Sequence, residues 1–363
     1  MMKKPFNFTF AVGPTQISTP VKKDIEYAAQ NNLLSISHRG KEFTEISKNT
    51  IDALRNLYNV PEDYHIFFTS SATECWEICA RNLVEKEAYA FVAGHFSGAF
   101  SKCLTSWGKT CHINEVNWGE INNLNEAEIP KSAELITLCH NETSTGVCLT
   151  MPQIEALQKR YPGKLIAVDV TSSIGACHLN IELADVWYFS VQKGFGLPSG
   201  LGVMFVGPRA MEKSKQLLDE KHPQGFFNFS NMEKQMANGK FQTIPTPNIL
   251  GIYLLGEQCN RFIKSGFEHT VKHIEDRAND LYTFFNNHPQ TKPFVTNKNA
   301  RSPYSLCIYV GSENLEYYKK VAAQKGVQLG GGYGPLKEDH MRVANYPAIA
   351  DADIETLKEI FNS

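Results

Sequence analysis

Lys193 lies in "YFSVQKGFGLPSGLGV" (188–203), where an apolar run gives way to a glycine-rich turn. A lysine there is either a surface cation or an amine nucleophile whose pKa falls in a desolvated pocket. Asp169 raises the same question, because it interrupts the apolar run "LIAVDVTSSIG". A carboxylate at a strand end is costly to bury without a cation or hydrogen-bond donors. Asp169 precedes Lys193 by 24 residues, room for one strand–connection–strand unit that would bring both to neighbouring strand ends. In open α/β sheets, ligands collect beyond those ends.

Three further segments fall in equivalent places. "TSSATE" (69–74) follows an apolar run and opens a helix, and its small residues let backbone N–H groups approach an anion. Read alone it caps a helix equally well. "GHFS" (94–97) sets Phe96 where a ring would stack on a planar cofactor, although a lone Phe is more often core. "NETSTG" (141–146) offers the hydroxyl of Thr143, or simply a turn. An acid, a lysine, a phosphate cradle and an aromatic lid together are what pyridoxal 5'-phosphate requires. The lysine condenses with the aldehyde, and the acid keeps the pyridine nitrogen protonated so that the ring is an electron sink. The glycines after Lys193 are read as leaving room for the cofactor.

The elements that must position these residues recur as short apolar runs followed by helical stretches. The runs are "HIFF" (65–68), "AYAFVA" (88–93), "ELITLCH" (134–140), "KLIAVDV" (164–170), "VWYFSV" (186–191) and "LGVMFVG" (201–207). That alternation predicts an α/β fold with a mostly parallel sheet between helices. After about residue 250 the pattern changes. "ILGIYLLGEQCNRFIKSG" crosses to a smaller α+β domain that holds "YSLCIYV" and the closing helix "DADIETLKEIFNS". The expected division is a large domain over 16–255 and a small one from 1–15 with 256–363.

At 363 residues, two domains are the default, and 42% apolar with 20% charged residues is ordinary globular composition. A net charge of −2 gives no electrostatic case for nucleic acid or an anionic membrane. No apolar run approaches the roughly 18–20 residues a spanning helix needs, and "MMKKPFNFTFAVGP" is a poor signal peptide. Nine scattered cysteines suit reduced thiols and a cytoplasmic location. No Cys/His pair follows Cys75 and Cys79 at zinc-finger spacing, and Cys139-His140 with Cys148, conceivable as ligands, reads as a scatter of small buried residues, so no metal is expected.

With these residues in hand, the chain resembles the class V, fold-type-I pyridoxal-phosphate aminotransferases, nearest to the phosphoserine aminotransferase branch. The likeness runs through "FTFAVGPT", "SISHRGKEFTEI" (35–46), "HNETSTGV" (140–147), "VDVTSSIG" (168–175), "SVQKGFGLPSGLGVMFV" (190–206) and "TIPTPNILGIYLLG" (243–256). The resemblance implies that Lys193 is the Schiff-base lysine and proton shuttle, Asp169 the partner of the pyridine nitrogen and Thr143 the donor to the ring hydroxyl. Phe96 stands where the family usually has a stacking tryptophan. Ala72, Thr73 and Gln192 would hold the phosphate, and Thr246 would reach the phosphate of the other subunit, which implies a homodimer with shared sites. His38 and Arg39 would approach substrate across that interface, and Arg342 in "HMRVANYP" would clamp its α-carboxylate.

Two departures bear on the substrate. Pro335 and Leu336 stand where the branch carries a His-Arg pair, and Thr73 replaces a common arginine. A phosphate dianion needs such cations, each charge-assisted bond being worth roughly 1.5–3 kcal/mol; Lys337 and His340 are the nearby candidates to substitute, and neither aligns with the pair. The resemblance implies ping-pong transamination between O-phosphoserine and 2-oxoglutarate in serine biosynthesis. The alternative is a small unphosphorylated amino acid of the serine or alanine–glyoxylate or pyruvate type. A cysteine desulfurase-like lyase fits less well, since no cysteine sits in an evident mobile loop and Phe96, not His95, takes the stacking place. A cofactor-free interaction protein would have no reason to keep Asp169 near Lys193. A dinucleotide dehydrogenase would need a G-x-G-x-x-G that is absent.

Overall fold

The computed structural model describes residues 5–220, 222 and 225–363. Residues 1–4, the start of the expected 1–15 segment, lie outside the described residues. Each of the six apolar runs forms a strand of one sheet, as the α/β reading predicts. In chain order these are β1 (His65–Thr69), β2 (Glu87–Val92), β4 (Leu135–Cys139), β5 (Leu165–Asp169), β6 (Val186–Ser190) and β7 (Gly202–Val206). A seventh strand, β3 (Thr110–Glu115), was not among the expected ones. It is an edge strand of half-exposed residues, "TCHINE", which lacks the apolar run that burial on two faces imposes. The sheet order is β1-β7-β6-β5-β4-β2-β3, and β7 alone runs antiparallel to its neighbours.

Strand side chains alternate with a period of two, and this alternation builds the site. Ile166, Val168, Trp187 and Phe189 enter one apolar core, while Leu165, Ala167, Val186 and Tyr188 enter another under two helices. Those helices are α1 (Ala72–Leu83) and α2 (His95–Ser106). By the same alternation, the carboxyl ends of β4, β5 and β6 present Cys139, Asp169 and Ser190 on the helix-covered face. Ser71 caps α1 by accepting the amide of Glu74 at 3.2 Å, so this helix starts directly after β1.

The C-terminal part folds on its own antiparallel sheet of Lys292–Pro293, Ser305–Tyr309, His340–Ala344 and Gly330–Gly331. A third apolar cluster fills it, with Phe285, Tyr318, Tyr346 and Phe361 buried. The helix Ile249–Ser265 breaks at Gly266 and continues as Phe267–Asn287. Phe8–Thr9 pairs in parallel with Val327–Gln328 of this small unit. Farther along, the amide of Thr15 donates to the carbonyl of Gln192 at 3.0 Å, so the N-terminal segment spans from the small sheet to the Lys193 turn.

Buried Arg277 holds the segment that follows Arg342. Its guanidinium donates to Asn345 Oδ1 (2.6 Å) and to the carbonyls of Ile349 (2.7 Å) and Tyr346 (2.9 Å), and pairs with Asp351 at 3.1 Å. A lysine there keeps the charge but cannot make that planar fork and strands buried carbonyls. Arg277→Lys is expected to cost about 2–4 kcal/mol, read as a lower urea midpoint.

Candidate active site

The strand-end row borders a cavity of about 180 Å³. Lys193, Asp169, Thr143, Phe96, Ala72, Thr73 and Gln192 all line it, so seven of the expected residues converge. His38, Arg39 and Thr246 do not line it within one chain. His38 is half-buried, and Arg39 and Thr246 are exposed. Arg39 donates to Gln242 at 3.0 Å and Gln235 at 3.2 Å, and to the carbonyl of Ile244 at 3.3 Å, which ties it to the segment that precedes Thr246.

Lys193 is 8% exposed, and its Nζ donates to Thr143 Oγ1 at 2.8 Å while lying 4.8 Å from the centre of the Phe96 ring. Burial lowers its pKa, and the nearby charge of Asp169 opposes part of that shift. Asp169, 7% exposed, is shifted the other way: burial raises its pKa, against bonds from Thr171 and the charge of Lys193. The Thr171 amide reaches its Oδ1 at 2.8 Å, while a carboxylate has about four acceptor positions. Asn141, also on the cavity, has an Oδ1 with no donor. A buried acid short of donors, beside a desolvated amine with one polar partner, fits a ligand that brings both a cationic ring nitrogen and an aldehyde.

The phosphate end differs in detail from expectation. The Ala72 amide is already taken, donating to Ser190 Oγ at 2.7 Å, whereas the Thr73 amide in the first turn of α1 has no acceptor within its helix. Ser190 escapes a reading of the sequence because it follows "VWYF" as one more strand residue, although its place in the period puts it on the same sheet face as Asp169. Gly194 makes room for backbone rather than cofactor, since an added Cβ would stand 1.8 Å from the carbonyl oxygen of Ile174. The close approach to Lys193 comes instead from Gly13, whose Cβ would meet Lys193 Cε at 2.9 Å.

Arg342 lies on the small sheet and reaches the site through the Thr143 carbonyl, to which it donates at 3.2 Å. Its Nε donates to the carbonyl of Gly331 at 2.9 Å, and its guanidinium lies 5.1 Å from the centre of the Tyr333 ring. Tyr333 packs in turn on His95 (4.7 Å) and Phe96 (5.6 Å), a bridge that sequence reading missed because its two ends are more than two hundred residues apart. Neither nearby substitute for the missing His-Arg pair lines the cavity. His340 is buried against Phe294 and bonded to Asp339 at 2.6 Å, and Lys337 is exposed.

All nine cysteines are free. His140 donates to or accepts from Ser173 at 2.8 Å, and burial lowers its pKa to about 4, so it serves as a neutral core imidazole. Glu85, Glu220 and His222 bring ligand atoms within 4.8 Å of one another at the surface, where the carboxylates pair with the imidazole at 3.9 and 3.5 Å. Among the described residues, no helix is long and apolar enough to cross a membrane.

Comparison with known proteins places this architecture in a family. Residues 8–341 match the class-V aminotransferases. A phosphoserine aminotransferase of Nocardioides sp. is 26% identical over 97% of this chain and 94% of its own length. One from Corynebacterium glutamicum is 26% identical over 97% and 93%. The crystal structure of a phosphoserine aminotransferase from Cytophaga hutchinsonii is 30% identical, covers 99% of both chains and superposes with a TM-score of 0.95. The chain belongs to the class-V aminotransferase family, and it is an enzyme that transfers amino groups.

Lys193 in the apo-protein is expected to react with an amine-directed label at lower pH than exposed lysines, because burial holds its pKa down. Asp169→Asn removes a charge that raises that pKa, so the labelling curve moves to still lower pH. Peptide mass spectrometry across a pH series reads both, and a Lys193 curve matching the exposed lysines overturns the assignment.

Proposed function

We propose that this enzyme binds pyridoxal 5'-phosphate in the cavity and transfers the amino group between O-phosphoserine and 2-oxoglutarate, the transamination that serves serine biosynthesis. The observation that carries the reading is the burial of Lys193 and Asp169 together on one small cavity, each within the field of the other. The names of the relatives support the substrate. Bound there, the cofactor would supply an electron sink for negative charge at a substrate's α-carbon.

The chain's own residues divide the remaining work. Lys193 supplies the amine for the cofactor carbonyl and the base that moves the α-proton, a role for which a lowered pKa suits it. Asp169 would hold a proton on the ring nitrogen, Thr143 would meet the ring hydroxyl and Phe96 would cover the ring. Ser190, the Thr73 amide and Gln192 would hold the phosphate. Arg342 has two of its N–H groups committed to carbonyls, and the rest of its fork would take the α-carboxylate.

Arg39, His38 and Thr246 complete the site from a second copy of the chain, which makes the working unit a homodimer. Support comes from their absence from this chain's own cavity and from Phe226, which is 80% exposed. We also propose that 16–255 form the cofactor-binding domain and 1–15 with 256–363 the small one, as the separate apolar clusters suggest. The free thiols favour a cytoplasmic enzyme.

One observation favours a second substrate class. Pro335 and Leu336 carry no charge where the branch has two cations, and Leu336 is buried. A small unphosphorylated amino acid would need neither cation.

Lys193→Ala is expected to lower turnover by about 10²–10⁴-fold or more and to abolish the borohydride-reducible adduct, located by peptide mapping. Half-reactions monitored by cofactor absorbance separate the substrates. Conversion by O-phosphoserine and glutamate at low concentration, with serine and alanine inert, supports the first reading, and the reverse selects the second. No reducible adduct on Lys193 sinks both. Mixing inactive Lys193→Ala and Arg39→Ala dimers under subunit exchange should restore activity that neither parent has. Continued inactivity of the exchanged mixture would place Arg39 outside the partner's site.

A further inference from the structure

Glu142 is 1% exposed, and no lysine, arginine or histidine among the described residues forms an ion pair with it, although Lys193 and Arg342 lie within the field of its charge. Five donors satisfy its carboxylate instead. Oε1 accepts from the Ser144 hydroxyl (2.6 Å), the Ser144 amide (3.2 Å) and the Phe96 amide (3.3 Å). Oε2 accepts from the Ser97 hydroxyl (2.8 Å) and the Ser97 amide (2.9 Å). The two hydroxyls extend the net, since Ser144 Oγ accepts the His95 amide at 2.9 Å and Ser97 Oγ the Ala93 amide at 3.0 Å. The carboxylate therefore closes the first turn of α2 and the loop that carries Thr143 onto a single group, where the helix end also favours negative charge.

Gly94 is fitted to this junction. A Cβ there would lie 2.5 Å from Ser144 Oγ and 2.7 Å from Glu142 Cγ. The segments so joined come from 46 residues apart and supply the two side chains that touch the Lys193 amine, Phe96 through its ring and Thr143 through its hydroxyl. Thr143 also offers its carbonyl to Arg342.

We infer that Glu142 is a positioning residue for transamination, fixing Phe96 and Thr143 relative to Lys193 by joining the α2 N-terminus to the 141–146 loop. It touches no reacting atom. Its effect is registration of the ring that covers the cofactor with the hydroxyl that meets it, and an error on the order of 1 Å in such placement can cost about a hundredfold in rate.

Two variants separate position from charge. Glu142→Gln keeps the volume but sets two N–H donors against a ring of donors, and it removes a charge. Ser97→Ala with Ser144→Ala keeps the charge and withdraws two of the five donors, and it also serves if the glutamine variant does not fold. The first readout needs no cofactor. In the apo-protein, labelling of Lys193 relative to exposed Lys337 is expected to quicken about tenfold in the serine pair as the Phe96 and Thr143 contacts loosen, and further in Glu142→Gln, whose lost charge also lowers the Lys193 pKa. The second readout rests on the proposed cofactor reading: affinity for pyridoxal phosphate falls about tenfold or more, and the visible circular dichroism of the bound cofactor changes. If the serine pair lowers the melting temperature yet leaves Lys193 labelling, cofactor affinity and dichroism at wild-type values, Glu142 is structural only and the inference fails. Loosened labelling in a protein whose wild type binds no cofactor would keep the positioning role and overturn the cofactor reading alone.

Discussion

The structure turns on the cost of keeping an amine and a carboxylate dry in one small space. Lys193 and Asp169 are both pushed by burial toward their neutral forms, and each is drawn back by the charge of the other. Such a pair is stable only where the backbone gives it no escape to water, and the sheet provides that. Asp169 ends a strand that is buried along its whole length, beside a parallel neighbour equally buried. The α1 and α2 helices close the face above it. Because the pair is mutually restrained and short of donors, the same burial that opposes its charges readies it for a ligand that supplies the missing ones.

Around this pair the supporting contacts come from segments distant in the chain. Gly13 rests against the Lys193 stem, and the Thr15 amide holds the carbonyl of Gln192. Arg342 enters from the small sheet, its strand continued by the segment of Asn345, Tyr346 and Ile349, which Arg277 fixes through three hydrogen bonds. The N-terminal segment and the small sheet are themselves joined through Phe8–Thr9 and Val327–Gln328. The Arg342 strand and the N-terminal segment over the lysine are therefore tied to the small sheet, whereas Lys193 and Asp169 stand at strand ends of the large one.

Much of the site was legible in the sequence because burial is expensive for charge. An acid that interrupts "LIAVDV" and a lysine that follows "VWYFSV" stand out against apolar surroundings, and six of seven strands announce themselves by the apolar runs that two-sided burial demands. The seventh, Thr110–Glu115, is a half-exposed edge and carries no such run. Glu142, flanked by Asn141 and Thr143, looked like turn chemistry, since its five donors come from two segments that only folding brings together.

By itself the sequence determined which residue types could do chemistry, the alternation of strand and helix, and the motifs that tie the chain to its family. Those are properties of local spacing and of the cost of burying polar groups. Tertiary structure alone decided that β7 runs against its neighbours, that Ser190 takes the Ala72 amide, that Gly194 yields space to the Ile174 carbonyl and that Tyr333 bridges Arg342 to Phe96. Each of these is a contact across tens to hundreds of residues, set by how layers pack, and local sequence carries no record of it.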